Sequence, residues 1–176
     1  MERLVLAGKK DWRERMERAG IVWLTTQAEL ADTWKKWNLL PVSRCSAVKG
    51  NVSKGTPEQL YRGNQNIRFY QWCKRNRIPY GILSDQYGLV LWNEEREMYD
   101  THPSQVPEEQ FVKLAKYTRA VMDRYKRQGF LYHSAPPMTS APYFHLMLLT
   151  GLKVFYLSKL IDLTPKGFGL CLRMKQ

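Results

Sequence analysis

The sequence predicts an α/β protein, a three-layer sandwich in which helices cover a mostly parallel central sheet. Short apolar segments alternate along the chain with amphipathic segments of helical length. No internal repeat and no convincing linker divides the 176 residues, and an apolar share of 44% supplies a core for one domain. We therefore expect a single domain over 1–176, with an N-terminal element at 1–38, a core at 39–157 and a basic tail at 158–176.

The first half of the chain alternates strand and helix patterns. Strands are predicted at Ile21–Leu24, 39–43 and 79–84, and an amphipathic helix at 27–37. The segment from Thr56 to Gln59 is typical of a helix start, with Thr56 as the N-cap and Gln59 in the capping-box position. We expect the helix that follows to break near Gly63.

The second half contains the clearest helix, predicted over 107–128. Its apolar positions repeat at the spacing of one buried helix face: Phe111, Leu114, Ala115, Thr118, Val121, Met122 and Tyr125. Gly129 is expected to end this helix as a C-cap. Further strands are predicted at 89–92, 130–133 and Lys153–Leu157, with a helix at Ala141–Leu149 between the last two.

The charge indicates an anionic partner. Lysine and arginine total 28 against 16 aspartate and glutamate residues, a formal net charge of +12. Such a surplus attracts polyanions, so nucleic acid is the first candidate partner and a free nucleotide the second. The alternative is a basic protein whose charge serves solubility alone.

Other features argue against several classes of protein. The cysteines Cys45, Cys73 and Cys171 form no CxxC pair, and the three histidines are irregularly spaced. We expect no metal and no cofactor. No apolar run approaches the ~18–20 residues that span a bilayer, and the first residues lack a signal-peptide pattern. A cytoplasmic protein without a membrane partner is the expectation.

Polar clusters follow three of the predicted strands, at residues 45–49, 84–88 and 133–137. Ligands of open α/β sheets bind beyond the carboxyl ends of the strands, so these clusters predict a shared pocket. The loop at 99–102 adds a carboxylate and an imidazole close in sequence. We predict Lys49, Ser84 and Asp100 as catalytic. The predicted substrate-binding residues are Cys45, Ser46, Asp85, Tyr87, Tyr99 and His102.

Several of these residues have alternative interpretations. Cys45 is a nucleophile if Arg44 or Lys49 lowers its pKa, and otherwise a small buried side chain at a strand end. Asp85 is either a base or the cap of a turn. His102 is either an acid–base group or an ordinary loop residue.

The same segments resemble a known family. They are Cys45-Ser46-x-x-Lys49, Leu60-Tyr61, Ile82-Leu83-Ser84-x-x-Tyr87-Gly88-Leu89-Val90 and Tyr99-Asp100. In this order they resemble the YaaA-like domains of bacteria and archaea, and the core of archaeosine synthase, which modifies a 7-deazaguanine base in tRNA. The resemblance runs from about Arg44 to Asp100, and in looser form to Leu157.

This resemblance implies a fold similar to uracil-DNA glycosylases, with the pocket at the strand ends. It carries over Cys45, Ser46, Lys49, Ser84, Tyr87 and Asp100 as site residues. The sequence departs from the pattern in two places. Val42-Ser43-Arg44 replaces the proline that the family has before the Cys-Ser pair, and Asp85 stands where relatives commonly have alanine.

Two functional hypotheses follow. The first is an enzyme that acts on a nucleobase or nucleotide, as in base modification or base excision in tRNA or DNA. The second is a non-catalytic nucleic-acid-binding module, or a subunit of a modification or defence complex whose partner supplies RNA or DNA binding. The predicted nucleic-acid-binding residues are Lys74, Arg75, Arg77, Lys166, Arg173 and Lys175, and the basic face of the helix over 113–127 is a further candidate.

Overall fold

A six-stranded sheet forms the centre of the molecule in the computed structural model, which describes residues 1–163. The strands are β1 (Ile21–Leu24), β2 (Leu39–Arg44), β3 (Lys54–Gly55), β4 (Gly81–Ser84), β5 (Gly88–Leu91), β6 (Arg96–Glu97), β7 (Gly129–Tyr132) and β8 (Lys153–Leu157). The order in the sheet is β1-β8-β7-β2-β4-β5, and every neighbouring pair is parallel except the antiparallel pair β4–β5. β3 and β6 form a separate antiparallel pair.

Helices cover both faces of this sheet. They are α1 (Trp12–Arg18), α2 (Gln27–Lys36), α3 (Pro57–Leu60), α4 (Asn64–Arg75), α5 (Glu108–Arg124) and α6 (Ala141–Leu149). Right-handed crossovers place α2 and α4 on one face and α6 on the other, because β1–α2–β2 and β2–α4–β4 run in one direction across the sheet and β7–α6–β8 runs in the other. α5 packs against α6. The predicted three-layer α/β fold of a single domain is confirmed.

The central strands are buried on both faces. Every residue of β4, β5 and β7 is buried, and in β2 only Arg44 is partly exposed. This explains why the sequence shows short continuous apolar runs and not an alternating pattern. The predicted strand positions agree with the structure to within one or two residues.

The buried face of α5 agrees with the predicted one except at its end. Six of the seven predicted positions are buried, but Tyr125 is 46% exposed. The helix ends at Arg124 because Lys126 adopts a left-handed backbone conformation with a φ of 55°. Gly129 is therefore not the predicted C-cap. It opens β7, where a Cβ atom would lie 2.6 Å from the carbonyl oxygen of Lys153 in β8.

The predicted helix start at Thr56 is also found. The backbone N–H of Thr56 donates to Oε1 of Gln59 at 2.9 Å, as in a capping box. α3 is a single turn, and α4 begins after Gly63, so the predicted break near Gly63 is confirmed. A Cβ at Gly63 would lie 2.5 Å from Oγ of Ser46, so this glycine lets the segment after β2 pack against the start of α4.

The strand order places a topological switch point at one edge of the sheet. From β2 the chain crosses to β4 on one side, whereas β7 lies on the other side of β2 and leads on to β8. Connections that leave neighbouring strands in opposite directions open a crevice at their carboxyl ends. We call this edge of the sheet the carboxyl edge and the opposite one the amino edge.

Among residues 1–163, none of the helices has the length and apolar character needed to span a lipid bilayer. The predicted binding residues Lys166, Arg173 and Lys175 lie outside the described residues.

Thr118 joins α5 to β5, the last strand of the sheet, by a hydrogen bond. The N–H of Leu89 in β5 donates to the buried Oγ1 of Thr118 at 3.1 Å. Thr118→Val should therefore lower the free energy of unfolding by about 1–3 kcal/mol, because it leaves a buried N–H without an acceptor. Thr33→Val in α2 is the matched helical control and should cost less than about 0.5 kcal/mol. Chemical denaturation measures both, and equal effects would contradict this interpretation.

Candidate active site at the carboxyl edge

The parallel pairing of β2 with β4 brings Cys45 and Asp85 together. Arg44 is in register with Leu83, and the N–H of Cys45 donates to the carbonyl oxygen of Leu83 at 2.9 Å. This pairing brings the side chains of Cys45 and Asp85 together, and Sγ of Cys45 lies 3.2 Å from Oδ2 of Asp85. Both side chains are buried, with 5% and 4% of their surface exposed.

Tyr143 completes this cluster from the first turn of α6. Its hydroxyl donates to Oδ2 of Asp85 at 3.0 Å and lies 3.2 Å from Sγ of Cys45. α6 begins after β7, so its first turn lies at the carboxyl edge. Tyr143 was not among the predicted site residues. The only sequence signal for it is a tyrosine in the first turn of a helix that follows a polar cluster.

Burial determines the protonation of the pair. It raises the pKa of Asp85, while the hydrogen bonds from Cys45 and Tyr143 and the charge of Lys49 act in the opposite direction. Burial and the negative charge of Asp85 raise the pKa of Cys45. The thiol is thus held as a protonated donor to Asp85, which favours a binding role for Cys45 over a nucleophilic one.

One oxygen of Asp85 is left without a donor. Oδ2 accepts from two side chains, but the buried Oδ1 has no hydrogen-bond partner among residues 1–163. Buried carboxylate oxygens are normally satisfied, and an unsatisfied one costs free energy. The hydrogen-bonding capacity of this oxygen is therefore unused within the described chain.

Lys49 is positioned by backbone pairing. The segment after Cys45 turns back so that Lys49 bridges Tyr61, with the N–H of Gly50 donating to Leu60 and the N–H of Arg62 to Val48. Nζ of Lys49 lies 4.7 Å from the ring centroids of both Tyr61 and Tyr99.

The ammonium group of Lys49 is half-buried. Burial lowers the pKa of Lys49, whereas the negative charges of Asp85 and Asp100, and of Cys45 once its thiol loses the proton, act in the opposite direction. No carboxylate in the described chain forms an ion pair with it. The amine is therefore held in place by two aromatic rings and remains available for proton transfer or for an anionic group.

A chain of hydroxyl groups positions Tyr99. Oγ of Ser84 accepts from the N–H groups of Gln86 and Tyr87 at 3.1 Å and lies 2.6 Å from the hydroxyl of Tyr99. Tyr61 donates to the same hydroxyl at 3.1 Å. With both acceptor positions of Ser84 used by the backbone, Ser84 fixes the turn and orients Tyr99.

The remaining predicted substrate-binding residues lie around this centre. Oγ of Ser46 accepts from the N–H of Val48 at 3.0 Å and so stabilises a turn. Tyr87 is partly exposed, contacts Tyr99 edge-on at 5.3 Å and donates its hydroxyl to the carbonyl of Glu97. His102 is exposed and accepts from the N–H of Ser104, capping a short 3₁₀ helix.

Asp100 is exposed, next to Tyr99. Its negative charge is the smallest of the influences that raise the pKa of Lys49, and no hydrogen bond or ion pair joins it to Cys45, Asp85 or Tyr143. The structure thus brings together Cys45, Lys49, Ser84, Asp85 and Tyr99 and leaves Asp100 and His102 at the rim.

The predicted nucleic-acid-binding residues of α4 lie away from this site, at the opposite end of that helix. Lys74 is paired with Glu58 at 2.6 Å and Arg75 with Asp162 at 3.1 Å, which reduces the positive charge they present. Arg77 is exposed in a left-handed backbone conformation just after the helix.

Comparisons of the chain with protein-family models, with curated proteins and with solved structures find no match. The function must therefore be argued from the geometry of the site. Over the described residues, no group of three histidine, cysteine, aspartate or glutamate side chains could hold a metal ion. The available chemistry is that of a buried carboxylate, a half-buried amine and several phenols.

The buried, unpartnered oxygen of Asp85 should lower the free energy of unfolding. Because the pKa of Asp85 is raised on folding, its contribution to stability falls as the pH rises through that pKa. Asp85→Asn should leave the protein as stable as the wild type at pH 7, or more stable by up to about 2 kcal/mol. The difference should shrink towards pH 4.

Chemical denaturation at a series of pH values measures this difference. Asp123→Asn is the control, since Asp123 forms an exposed ion pair with Arg119 that is worth at most about 0.5 kcal/mol. A loss of more than about 1 kcal/mol in Asp85→Asn at pH 7 would instead indicate that Asp85 is a structural cap.

Proposed function

We propose that this chain is an enzyme that acts on a nucleobase or nucleotide at the carboxyl edge of its sheet. The observation that carries the proposal is the unpartnered buried Oδ1 of Asp85 in a cluster with Lys49. An acceptor that the protein itself leaves unsatisfied favours a ligand that brings a donor, as the N–H groups of a nucleobase do.

Recognition would use the carboxylate and the rim. Oδ1 of Asp85 accepts a hydrogen bond from the edge of the base, and Cys45 and Tyr143 hold the carboxylate in place through Oδ2. The partly exposed ring of Tyr87 offers a surface for stacking. The formal charge of +12 favours the approach of a phosphate-bearing substrate.

Lys49 and Asp85 would carry out the proton transfers. A carboxylate whose pKa is raised and an amine whose pKa is lowered both move towards neutrality, where general acids and bases are most effective. Asp85 acts as the base and Lys49 as the acid, or as the group that stabilises developing negative charge. Ser84 and Tyr61 position Tyr99 against Lys49 and act through it.

This assignment revises the roles predicted from the sequence. Lys49 remains catalytic, Asp85 joins it as the base, Asp100 becomes a rim residue and Ser84 becomes a positioning residue. A cytoplasmic location and a nucleic acid or nucleotide partner remain part of the proposal. So does the alternative of a subunit whose protein partner supplies RNA or DNA binding.

Turnover tests the proposal directly. The purified protein is incubated with bulk tRNA, with genomic DNA and with a mixture of free nucleotides. Liquid chromatography and mass spectrometry then quantify released bases and new nucleosides. Lys49→Ala and Asp85→Asn should each lower kcat/KM at least about 100-fold, the usual loss when an acid–base group is removed.

Matched controls separate this result from a general loss of charge. Lys113→Ala removes an exposed lysine of α5 and should leave kcat/KM within about two-fold. Asp100→Asn should cost less than about ten-fold, since Asp100 lies at the rim. Product formed equally well by Lys49→Ala and the wild type would refute the proposed mechanism.

The pH dependence of the reaction follows from the two shifted groups. Activity should rise as Asp85 loses its proton, above the ordinary carboxyl value of 3.8, and fall as Lys49 loses its own, below the ordinary value of 10.5. Lys49→Arg should move the alkaline limb of kcat/KM to higher pH. An unmoved alkaline limb in an active Lys49→Arg variant would remove Lys49 from the acid role.

A further inference from the structure

A second basic surface lies at the amino edge of the sheet, opposite the candidate active site. We define the amino-edge surface as Lys36, Trp37, Tyr125, Lys126 and Lys153. These residues come from the end of α2, the turn after α5 and the start of β8. They are distant in sequence, but the strands between them bring them together.

Backbone contacts make this surface continuous. The side chain of Asn38, next to Trp37, donates to the carbonyl of Lys126 at 2.8 Å. The N–H of Gln128 donates to the carbonyl of Asn38, and the N–H of Lys153 to the carbonyl of Gln128. The first residues of β2, β7 and β8 are in direct register at this edge. The side chains thus project from a rigid base.

Two lysines share one indole ring. Nζ of Lys153 lies 5.3 Å and Nζ of Lys36 lies 5.7 Å from the ring centroid of Trp37. Gathering two ammonium groups on one ring raises the local positive potential, and the ring holds both in place. Such an arrangement fits anionic groups spaced along a polymer.

The positive charge of the surface is not neutralised within residues 1–163. No ion pair involves Lys36, Lys126 or Lys153, in contrast to Lys74 and Arg75 on α4. Asp123, one turn before Lys126, is bound by Arg119 through both of its oxygens. The structure therefore concentrates its unpaired positive charge here more than on the predicted face of α4.

An exposed aromatic residue, Tyr125, directly precedes Lys126 in the chain. Tyr125 is 46% exposed and borders a cleft whose other walls include Trp92 and Arg127. Cations that follow a phosphate backbone, combined with an aromatic ring on which a base stacks, are the recurring elements of single-strand binding. A duplex would use the lysines but leave the tyrosine without a role.

We propose that the amino-edge surface binds single-stranded nucleic acid, with phosphates on Lys36, Lys126 and Lys153 and a base stacked on Tyr125. This inference goes beyond the proposed reaction, because the surface contains none of the catalytic residues. Polymer binding and catalysis are then separate properties of the same domain. The strand bound here anchors the polymer while another part of it reaches the carboxyl edge.

Fluorescence anisotropy tests the proposal with labelled 12-nucleotide oligo-U RNA and oligo-T DNA at several salt concentrations. Replacing Lys36, Lys126 and Lys153 together by alanine should weaken binding at least about ten-fold at 50 mM salt. It should also reduce the slope of log K against log salt by about 2, the value for three lost phosphate contacts on a single strand. Binding of either strand supports the proposal, and the two probes distinguish RNA from DNA.

Controls of equal charge make the test specific. Replacing Lys9, Lys10 and Lys113 by alanine removes the same charge elsewhere and should change affinity less than about two-fold. Replacing the three surface lysines by arginine should preserve affinity within about three-fold, even if the alanine variant folds poorly. Tyr125→Ala should weaken binding about five-fold or more without changing the salt slope.

Three results would overturn the proposal. They are an equal loss in the two alanine triples, tighter binding of a 12-base-pair duplex than of the single strands, and equally tight binding of a poly-glutamate peptide. Failure here is distinguishable from failure of the proposed reaction, because anisotropy measures binding and product formation measures turnover, and the three lysines replaced here lie outside the candidate active site.

Discussion

The parallel pairing of β2 with β4 and β7 is the constraint on which the rest of the structure depends. It is built from strands buried on both faces, so a shift in register would exchange the side chains of the two packed faces and disrupt their packing. The same register ends β2 and β4 side by side, and the next residues, Cys45 and Asp85, meet there. The energetics of the core therefore determine the geometry of the candidate site.

The two ionisable groups of the candidate site are buried at a cost in stability, and ligand binding would offset that cost. Asp85 is buried, yet the protein supplies donors to only one of its two oxygens. Lys49 is held over two tyrosine rings without an ion pair within the described chain, in a position that lowers its pKa. Both arrangements cost stability in the free protein, and a ligand with a donor and a negative charge would offset the cost. Such sites are typical of function and not of a purely structural core.

Much of the fold could be predicted because it follows from local patterns. The burial of α5, the capping box at Thr56 and the short apolar strands each depend on residues a few positions apart. The end of α5 could not, because a left-handed Lys126 leaves no pattern in the sequence. The prediction of Gly129 as a C-cap is wrong for a different reason, because its role depends on the neighbouring strand β8, which is distant in sequence.

Predicting the site from the sequence was possible for the residues that follow strands and not for the rest. Cys45 and Lys49 lie in the segment after β2, Ser84 ends β4 and Asp85 follows it, and the pairing of the two strands makes them neighbours. Tyr143 belongs to α6, 58 residues after Asp85 in the sequence, and no local sequence pattern identifies it as a site residue. Asp100 and His102 are near the site in sequence, but side chains on a surface loop need not point inward.

The central claim is that the open oxygen of Asp85 receives a donor from a nucleobase or nucleotide. A crystal structure of the protein with the nucleoside or nucleotide that binds it tests this most directly. The claim predicts a ligand nitrogen within about 3.2 Å of Oδ1 of Asp85, with Nζ of Lys49 beside the same molecule. A ligand bound elsewhere, with Oδ1 still unpartnered, would contradict it.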